Sequence, residues 1–241
     1  MAQPDPKDHW NNEYRQGSPH FHSLASRESS SAAVKFLWYM AGSGSPRPSS
    51  SPGLWMYNNG TALEVGCGMG RNTNWLADIG LNAIGMDISE VAIQEARKRA
   101  QEAGVNAKYQ VQSVADRWPF EPESIDLVFD LVTLHLLTSR ETKSYKNELC
   151  RCIKPLGRLF VYTLDRSMDD HAKELLREHP GPELNTYLLP EINHVERTFT
   201  LDELKDAFSP LNLEYSELIQ KPTQFMDKTY LRYYWWAVFR K

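Results

Sequence analysis

The sequence predicts an α/β protein: a seven-stranded, mostly parallel sheet with a C-terminal antiparallel strand and helices on both faces. Three observations predict it. Short apolar runs alternate with helical segments from Thr61 to Leu164. The first run ends in a glycine-rich loop, Gly66-Cys67-Gly68-Met69-Gly70. The last two apolar runs, 212–220 and 230–239, stand too close for a crossover helix and therefore pair antiparallel. A β–α alternation implies a parallel sheet covered on both faces. Ligands of such sheets lie beyond the carboxyl ends of the strands, where strand order reverses.

Bulk composition narrows the class. At 241 residues, 41% hydrophobic and 24% charged, the chain can bury one real core. A net charge of −4 argues against a broad phosphate-backbone footprint, so nucleic acid is not the expected partner. The three cysteines, Cys67, Cys150 and Cys152, are too few and odd for a disulfide scaffold, which predicts a reducing compartment. Cys150-x-Cys152 lacks a second ligand pair, and no metal is expected. No apolar leader or membrane-length run is present, so the expectation is a cytoplasmic protein without a membrane partner.

The elements follow in order. Asp5-Pro6 reads as an N-cap with proline at the first helical position, opening a helix through Trp10 and Tyr14. Ser29–Ser31 cap a second helix, with Val34, Leu37, Trp38 and Ala41 expected on its buried face. Residues 42–53, GSGSPRPSSSPG, read as a flexible link. Residues 1–60 are therefore expected as a lid of helices and linker, and 61–241 as the main domain. Strand one is 61–65, followed by a helix over 72–78. Strand two, 82–86, ends at Asp87, and Ser89 caps a helix closed by Gly104. Strand three is 107–111, and strand four, 125–129, ends at Asp130. Ser139 opens a helix to Ile153; Pro155 and Gly157 turn the chain into strand five, 158–164. Residues 165–199 are too long for an ordinary connection, and are expected to insert on the ligand side with one helix near 169–178. Thr200-Leu-Asp-Glu203 is a capping box for a helix to Phe208, ahead of strands six and seven.

The glycine spacing carries the chemistry. A strand that runs into three glycines and a helix brings bare backbone close to a ligand. The dinucleotide fingerprint is G-x-G-x-x-G, but here the third glycine comes one residue early and Arg71 takes its place. No G-x-x-x-x-G-K-[ST] phosphate loop is present. Asp87 stands at the end of strand two, about 20 residues on, the separation of an acid that accepts ribose hydroxyls.

The order Glu64-x-Gly66-x-Gly68-x-Gly70, with Asp87, resembles the class I S-adenosylmethionine (SAM) dependent methyltransferases, from about residue 8 to the end. The resemblance implies a Rossmann-like fold and SAM as cofactor, with S-adenosylhomocysteine (SAH) as product. It implies that Glu64 orders the loop and meets the methionine ammonium, that Gly66, Cys67, Gly68 and Gly70 offer backbone, and that Ile88 covers the adenine. Arg71 reads equally as a partner of the methionine carboxylate or as a solvated first-turn residue. Where the family often carries Gly-Asp after strand three, this chain has Ser113-Val114, leaving backbone of Val114 and Ala115, or the side chain of Asp116, for the adenine.

His9-Trp10-Asn11-Asn12-Glu13-Tyr14 resembles the W-x-x-x-Y helix of the small-molecule branch, which includes thiopurine and tellurite methyltransferases. There Trp10 and Tyr14 would help close the SAM site, a role compatible with plain packing. Asp130 and His135 fall where donor and acceptor meet in the family. His135 is the candidate general base, with a core histidine as the alternative. His20, His22, His171 and His194 lie in segments of the expected substrate wall. The aromatic run 230–240 reads as core packing. The resulting expectation is a SAM-dependent methyltransferase acting on an oxygen, nitrogen or sulfur of a small molecule. The alternatives are a protein lysine methyltransferase, a non-catalytic SAM-binding regulator and, against the glycine spacing, a nicotinamide oxidoreductase.

Overall fold

The computed structural model describes residues 5–17, 25–40, 59–190, 192–225 and 228–241. His20, His22, Ala41 and the 42–53 stretch lie outside the described residues. In chain order the elements are α1 (Pro6–Arg15), α2 (Ser31–Met40), β1 (Thr61–Val65), α3 (Arg71–Asp78), β2 (Asn82–Asp87) and α4 (Glu90–Ala103). Then come β3 (Lys108–Val111), β4 (Ile125–Leu131), a 3-10 turn (Leu134–Leu136), α5 (Ser139–Cys152), β5 (Ile153–Leu164) and α6 (Asp170–Glu178). The chain ends with β6 (Thr186–Leu189), β7 (His194–Arg197), α7 (Leu201–Phe208), β8 (Asn212–Phe225) and β9 (Lys228–Arg240).

One seven-stranded sheet has the order β3-β2-β1-β4-β5-β9-β8. β1 through β5 pair in parallel, while β9 runs antiparallel to both β5 and β8. Strand order reverses between β1 and β4, so the carboxyl ends of those strands and of β2 frame the expected crevice.

Local chemistry explains the boundaries. Asp5 accepts hydrogen bonds from Lys7 N and Asp8 N and caps α1. Ser89 accepts from Ala92 N, and Gly104 closes α4 in the left-handed region. Capping boxes at Thr138–Glu141 and Thr200–Glu203 start α5 and α7.

Apolar side chains fill both faces of the sheet. Leu76, Phe129, Phe160 and Trp236 lie in one cluster, and Val65, Val128, Tyr145, Leu149 and Phe239 in the other. Along β9, Tyr234, Trp236 and Val238 join the first cluster and Ala237 and Phe239 the second, the alternation a central strand requires.

Four elements differ from the sequence reading. α2 buries Ala32, Ala33, Phe36 and Leu37, whereas Val34 and Trp38 are only half-buried. Phe36 decides the rotation: its ring packs 5.0 Å from Phe129 and 5.2 Å from Phe160, anchoring α2 in the main core. β5 begins at Ile153 instead of 158, absorbing Pro155 and Gly157 as an irregularity in its pairing with β4. The 165–199 insertion contains an antiparallel β6–β7 hairpin besides its helix. β8 and β9 extend past β5 as a long two-stranded arm, since β5 pairs only from Tyr234 onward.

Candidate active site

The glycine loop is built by close approach. Gly66, Gly68 and Gly70 all have positive φ, +61°, +52° and +79°. A Cβ on Gly66 would lie 2.1 Å from Thr133 Oγ1, and one on Gly68 would lie 2.6 Å from the Tyr14 hydroxyl. These two glycines admit the tip of α1 and the turn after β4 against the loop. A Cβ on Gly70 would strike Tyr109 Oη at 2.4 Å, so Gly70 serves the packing of α3 against β3 and α4. Thr133 Oγ1 donates to Val65 O at 3.0 Å, tying the two loops together.

Glu64 sits at the end of β1 and is 2% exposed. Asn72 Nδ2 donates to its Oε1 at 2.7 Å, and the Thr73 hydroxyl donates to its Oε2. Burial pushes its pKa up to about 7, against those two hydrogen bonds and the nearby Arg71 charge. Asp87 accepts Gly68 N at 2.9 Å on Oδ2 and Ser89 N at 2.8 Å on Oδ1. Each oxygen keeps a lone pair for a further donor. Because Ser89 caps α4, the Asp87 carboxylate is not needed as the cap.

A cavity of about 270 Å³ opens at the strand ends. Trp10, Tyr14, Glu64, Gly66, Cys67, Gly68, Arg71, Asp87, Ile88, Ser113, Val114 and His135 all line it. Three expected site residues do not: Gly70, Ala115 and Asp130. Asp130 is fully buried, and its Oδ1 accepts Thr133 N and Leu134 N at 3.0 Å each, so its carboxylate shapes the turn after β4. Ala115 N is spent on Ser113 Oγ, and Asp116 is exposed and off the cavity. Ile88, Ser113 and Val114 wall that end of the cavity, with Trp118 Nε1 already donating to Val114 O. Burial, with the nearby Asp87 and Glu64 charges, pushes the Cys67 thiol well up.

The donor set suits SAM. Asp87 offers a carboxylate for ribose hydroxyls, Glu64 an acid for an ammonium, Arg71 a cation for a carboxylate, and Ile88 with Val114 an apolar slot for a purine. The two glycines that a Cβ would fill keep the backbone bare beside them.

The same cavity continues past the turn after β4. Leu131, Leu137, Leu164, Leu189, Phe225 and Tyr234 form apolar and aromatic walls, with His135, Glu196 and Arg232 among them. Val132, a β-branched residue at φ +66°, holds that turn in a strained conformation at the cavity edge. His194 does not line this cavity; it stacks on His9, with ring centroids 5.0 Å apart, beside an adjoining smaller one of about 140 Å³. Glu196, Arg232 and Thr133 escaped the sequence reading. The one signal for the first was His194-Val195-Glu196, two polar residues at strand period in a ligand-side insertion.

Comparison with known proteins fits this geometry. Residues 62–157 match the family described as "Methyltransferase domain". A ubiquinone biosynthesis O-methyltransferase of Thiobacillus denitrificans is 30% identical over 169 residues, 70% of each chain. The chain belongs to the class I SAM-dependent methyltransferases. It is accordingly a methyltransferase with SAM as its cofactor. The fold is shared with a SAM-dependent methyltransferase of Methanosarcina mazei, at TM-score 0.66, 22% identity and coverage of 78% of this chain and 96% of that one. It is also shared with the Burkholderia thailandensis 1,6-didemethyltoxoflavin-N1-methyltransferase bound to its substrate and SAH, at TM-score 0.64, 16% identity and coverage of 100% and 92%. No helix among the described residues is long and apolar enough to cross a membrane.

Proposed function

We propose that this methyltransferase transfers the SAM methyl group to a heteroatom of a small, largely apolar molecule carrying a ring. One observation carries the reading: a single cavity joins the glycine loop and Asp87 to an apolar, aromatic chamber with a few convergent polar groups. The name of the Thiobacillus relative, an O-methyltransferase of ubiquinone biosynthesis, favours oxygen among the heteroatoms. The chamber is walled by the β6–β7 insertion and the β8–β9 arm, which suits a small acceptor better than a lysine on a protein surface. All three cysteines are free, in keeping with a cytoplasmic setting.

In this reading Asp87 accepts the ribose hydroxyls. Glu64 and Arg71 hold the methionine ammonium and carboxylate. Ile88, Ser113 and Val114 hold the adenine, while Gly66, Cys67 and Gly68 line the loop. α1 acts as the lid, with Trp10 and Tyr14 closing the site. SAM supplies an electrophilic methyl on a sulfonium; the protein supplies orientation and water exclusion, since near-attack geometry alone can replace about 7–11 kcal/mol of barrier. His135 is the candidate base where the nucleophile is protonated.

Incubation with methyl-tritiated SAM and pooled phenols, amines and thiols tests the reading. The expected result is label in a small organic product. Tight SAH binding with no transfer to any pool, or label only in protein, would favour the regulator or the lysine methyltransferase instead.

A further inference from the structure

The acceptor chamber contains a buried charged array that the reading above leaves unused. Asp169, at the start of α6, accepts Arg232 Nε at 2.6 Å and caps its helix through Ala172 N. Arg232 Nη2 donates to the Tyr187 hydroxyl at 2.8 Å, and that hydroxyl donates to Glu196 Oε2. All four residues are buried, as is His135. The array fixes the Glu196 carboxylate through Oε2. Its other oxygen, Oε1, stands 4.0 Å from His135 Nε2. That gap is too long for a hydrogen bond between them, and one hydroxyl oxygen fits within reach of both, its single proton donated to one of the two.

We propose that this gap seats a neutral hydroxyl of the acceptor, and that Glu196 is the group that lets His135 take its proton. The proposal rests on the methyl-transfer reading above. Charge selects the class of acceptor: the Arg232 guanidinium is already engaged by Asp169 and Tyr187, which leaves the Glu196 carboxylate as the charge that faces the gap. An anionic acceptor group would meet that negative charge in a desolvated site, whereas a phenolic or enolic hydroxyl gains a hydrogen bond there.

The protonation states agree with the geometry. Burial pushes Glu196 up, but the Arg232 charge and the Tyr187 hydroxyl act to hold it down as a carboxylate beside the neutral imidazoles. Burial pushes His135 down to about 4; Glu196 opposes this and Arg232 adds to it. His135 is therefore neutral at physiological pH, with its ring proton assigned to the buried Nδ1 and Nε2 left as acceptor. In the transfer, the hydroxyl proton passes to Nε2 and the oxygen lone pair forms the new C–O bond to the methyl. The S–C bond breaks with its electron pair retained on sulfur. The resulting imidazolium faces the Glu196 carboxylate, which offsets its charge until the proton leaves to water.

The test compares wild type with Glu196→Gln, using phenol, aniline and thiophenol as ring-matched acceptors. Thiophenol ionises readily and needs little help from a base. The expected outcome is that the ratio of phenol to thiophenol rates falls about 100-fold in the variant while the SAH Kd stays put. An equal loss for both acceptors with SAH binding kept would mark Glu196 as merely structural and overturn the proposal. Methylation of aniline or thiophenol but not phenol by wild type overturns the hydroxyl assignment. Independently of any acceptor, the His135 imidazole followed by NMR should titrate at lower pH in the variant, and an unmoved or raised titration overturns the role of Glu196. Failure of wild type to bind SAH defeats the methyl-transfer reading itself.

Discussion

Asp87 and Glu64 carry the same kind of charge and do different work because their surroundings differ. Asp87 is braced by Gly68 N and Ser89 N, with one lone pair left on each oxygen. Replacing it with Ala should weaken SAH binding by about 1.5–3 kcal/mol, roughly 10- to 150-fold in Kd. Calorimetry reads this directly, and an unchanged Kd refutes the ribose assignment. Glu64 is buried and titrates near 7, above its unfolded value of 4.5. The folded state therefore binds its proton more tightly than the unfolded chain does. Its contribution to stability is largest below about pH 4.5 and declines as pH rises towards 7. Asp130, pushed by burial up to about 6, adds in the same direction. His135 and His194, which burial holds down at about 4, act in the opposite direction over the same range, so the Glu64 contribution is read as a difference: the melting temperature of Glu64→Gln relative to wild type should rise as pH climbs from 4.5 to 7, and a constant difference contradicts it. An ammonium beside Glu64 favours the ionised form, so SAH affinity should rise as pH climbs through 7; affinity that falls over that range contradicts the assignment.

Gly66 tests the fit of the loop itself. Gly66→Ala forces a side chain into φ +61° and onto Thr133. The expected loss is about 1–3 kcal/mol of stability, measured by denaturant unfolding and partly recovered by adding Thr133→Ala. The glycines and Asp87 were legible from their spacing, and Glu64 from the family resemblance that the spacing carries. Thr133 was not, because its contact with Gly66 joins the ends of β1 and β4 across the fold. Asp116 misled for the complementary reason: sequence proximity put it near the adenine, but the turn after β3 points it to solvent.

At the scale of elements, α1 is docked on the main domain at the start of α4. The Asn11 side-chain oxygen accepts from Ser89 Oγ at 2.8 Å and from Val91 N at 3.3 Å, fastening α1 to the start of α4. Asn11→Ala should release the helix at a cost of about 1 kcal/mol. Limited proteolysis should then clip within 5–17 faster than in wild type while 61–241 stays intact, and SAH binding should weaken. Equal clipping rates would contradict the docking. The parallel strands and their capped helices were readable because apolar period, N-caps and C-cap glycines agree with one another. The β6–β7 hairpin was not. Its strands are four residues long, and β7 turns His194 and Glu196 inward, reversing the pattern that marks a strand with an apolar buried face. α2 was rotated in the reading because Val34 and Trp38 fit helical spacing as well as Ala32 and Phe36 do, and only the aromatic pocket of Phe129 and Phe160 distinguishes them.

Over the whole molecule, the reversal of strand order between β1 and β4 determines where ligands go, and the two late additions determine what they meet. The parallel half supplies the loop, Glu64 and Asp87. The β6–β7 insertion and the β8–β9 arm bring Glu196, Arg232, Phe225 and Tyr234 to the same cavity. The cofactor half was therefore legible from local motifs, while the acceptor half depends on long-range packing that no local pattern records. The central claim is that this glycine spacing and Asp87 select SAM over a nicotinamide dinucleotide. Calorimetric titration of the purified protein with SAH and with NAD tests it most directly. Saturable heat with SAH and none with NAD is the predicted result; saturable heat with NAD and none with SAH would contradict it.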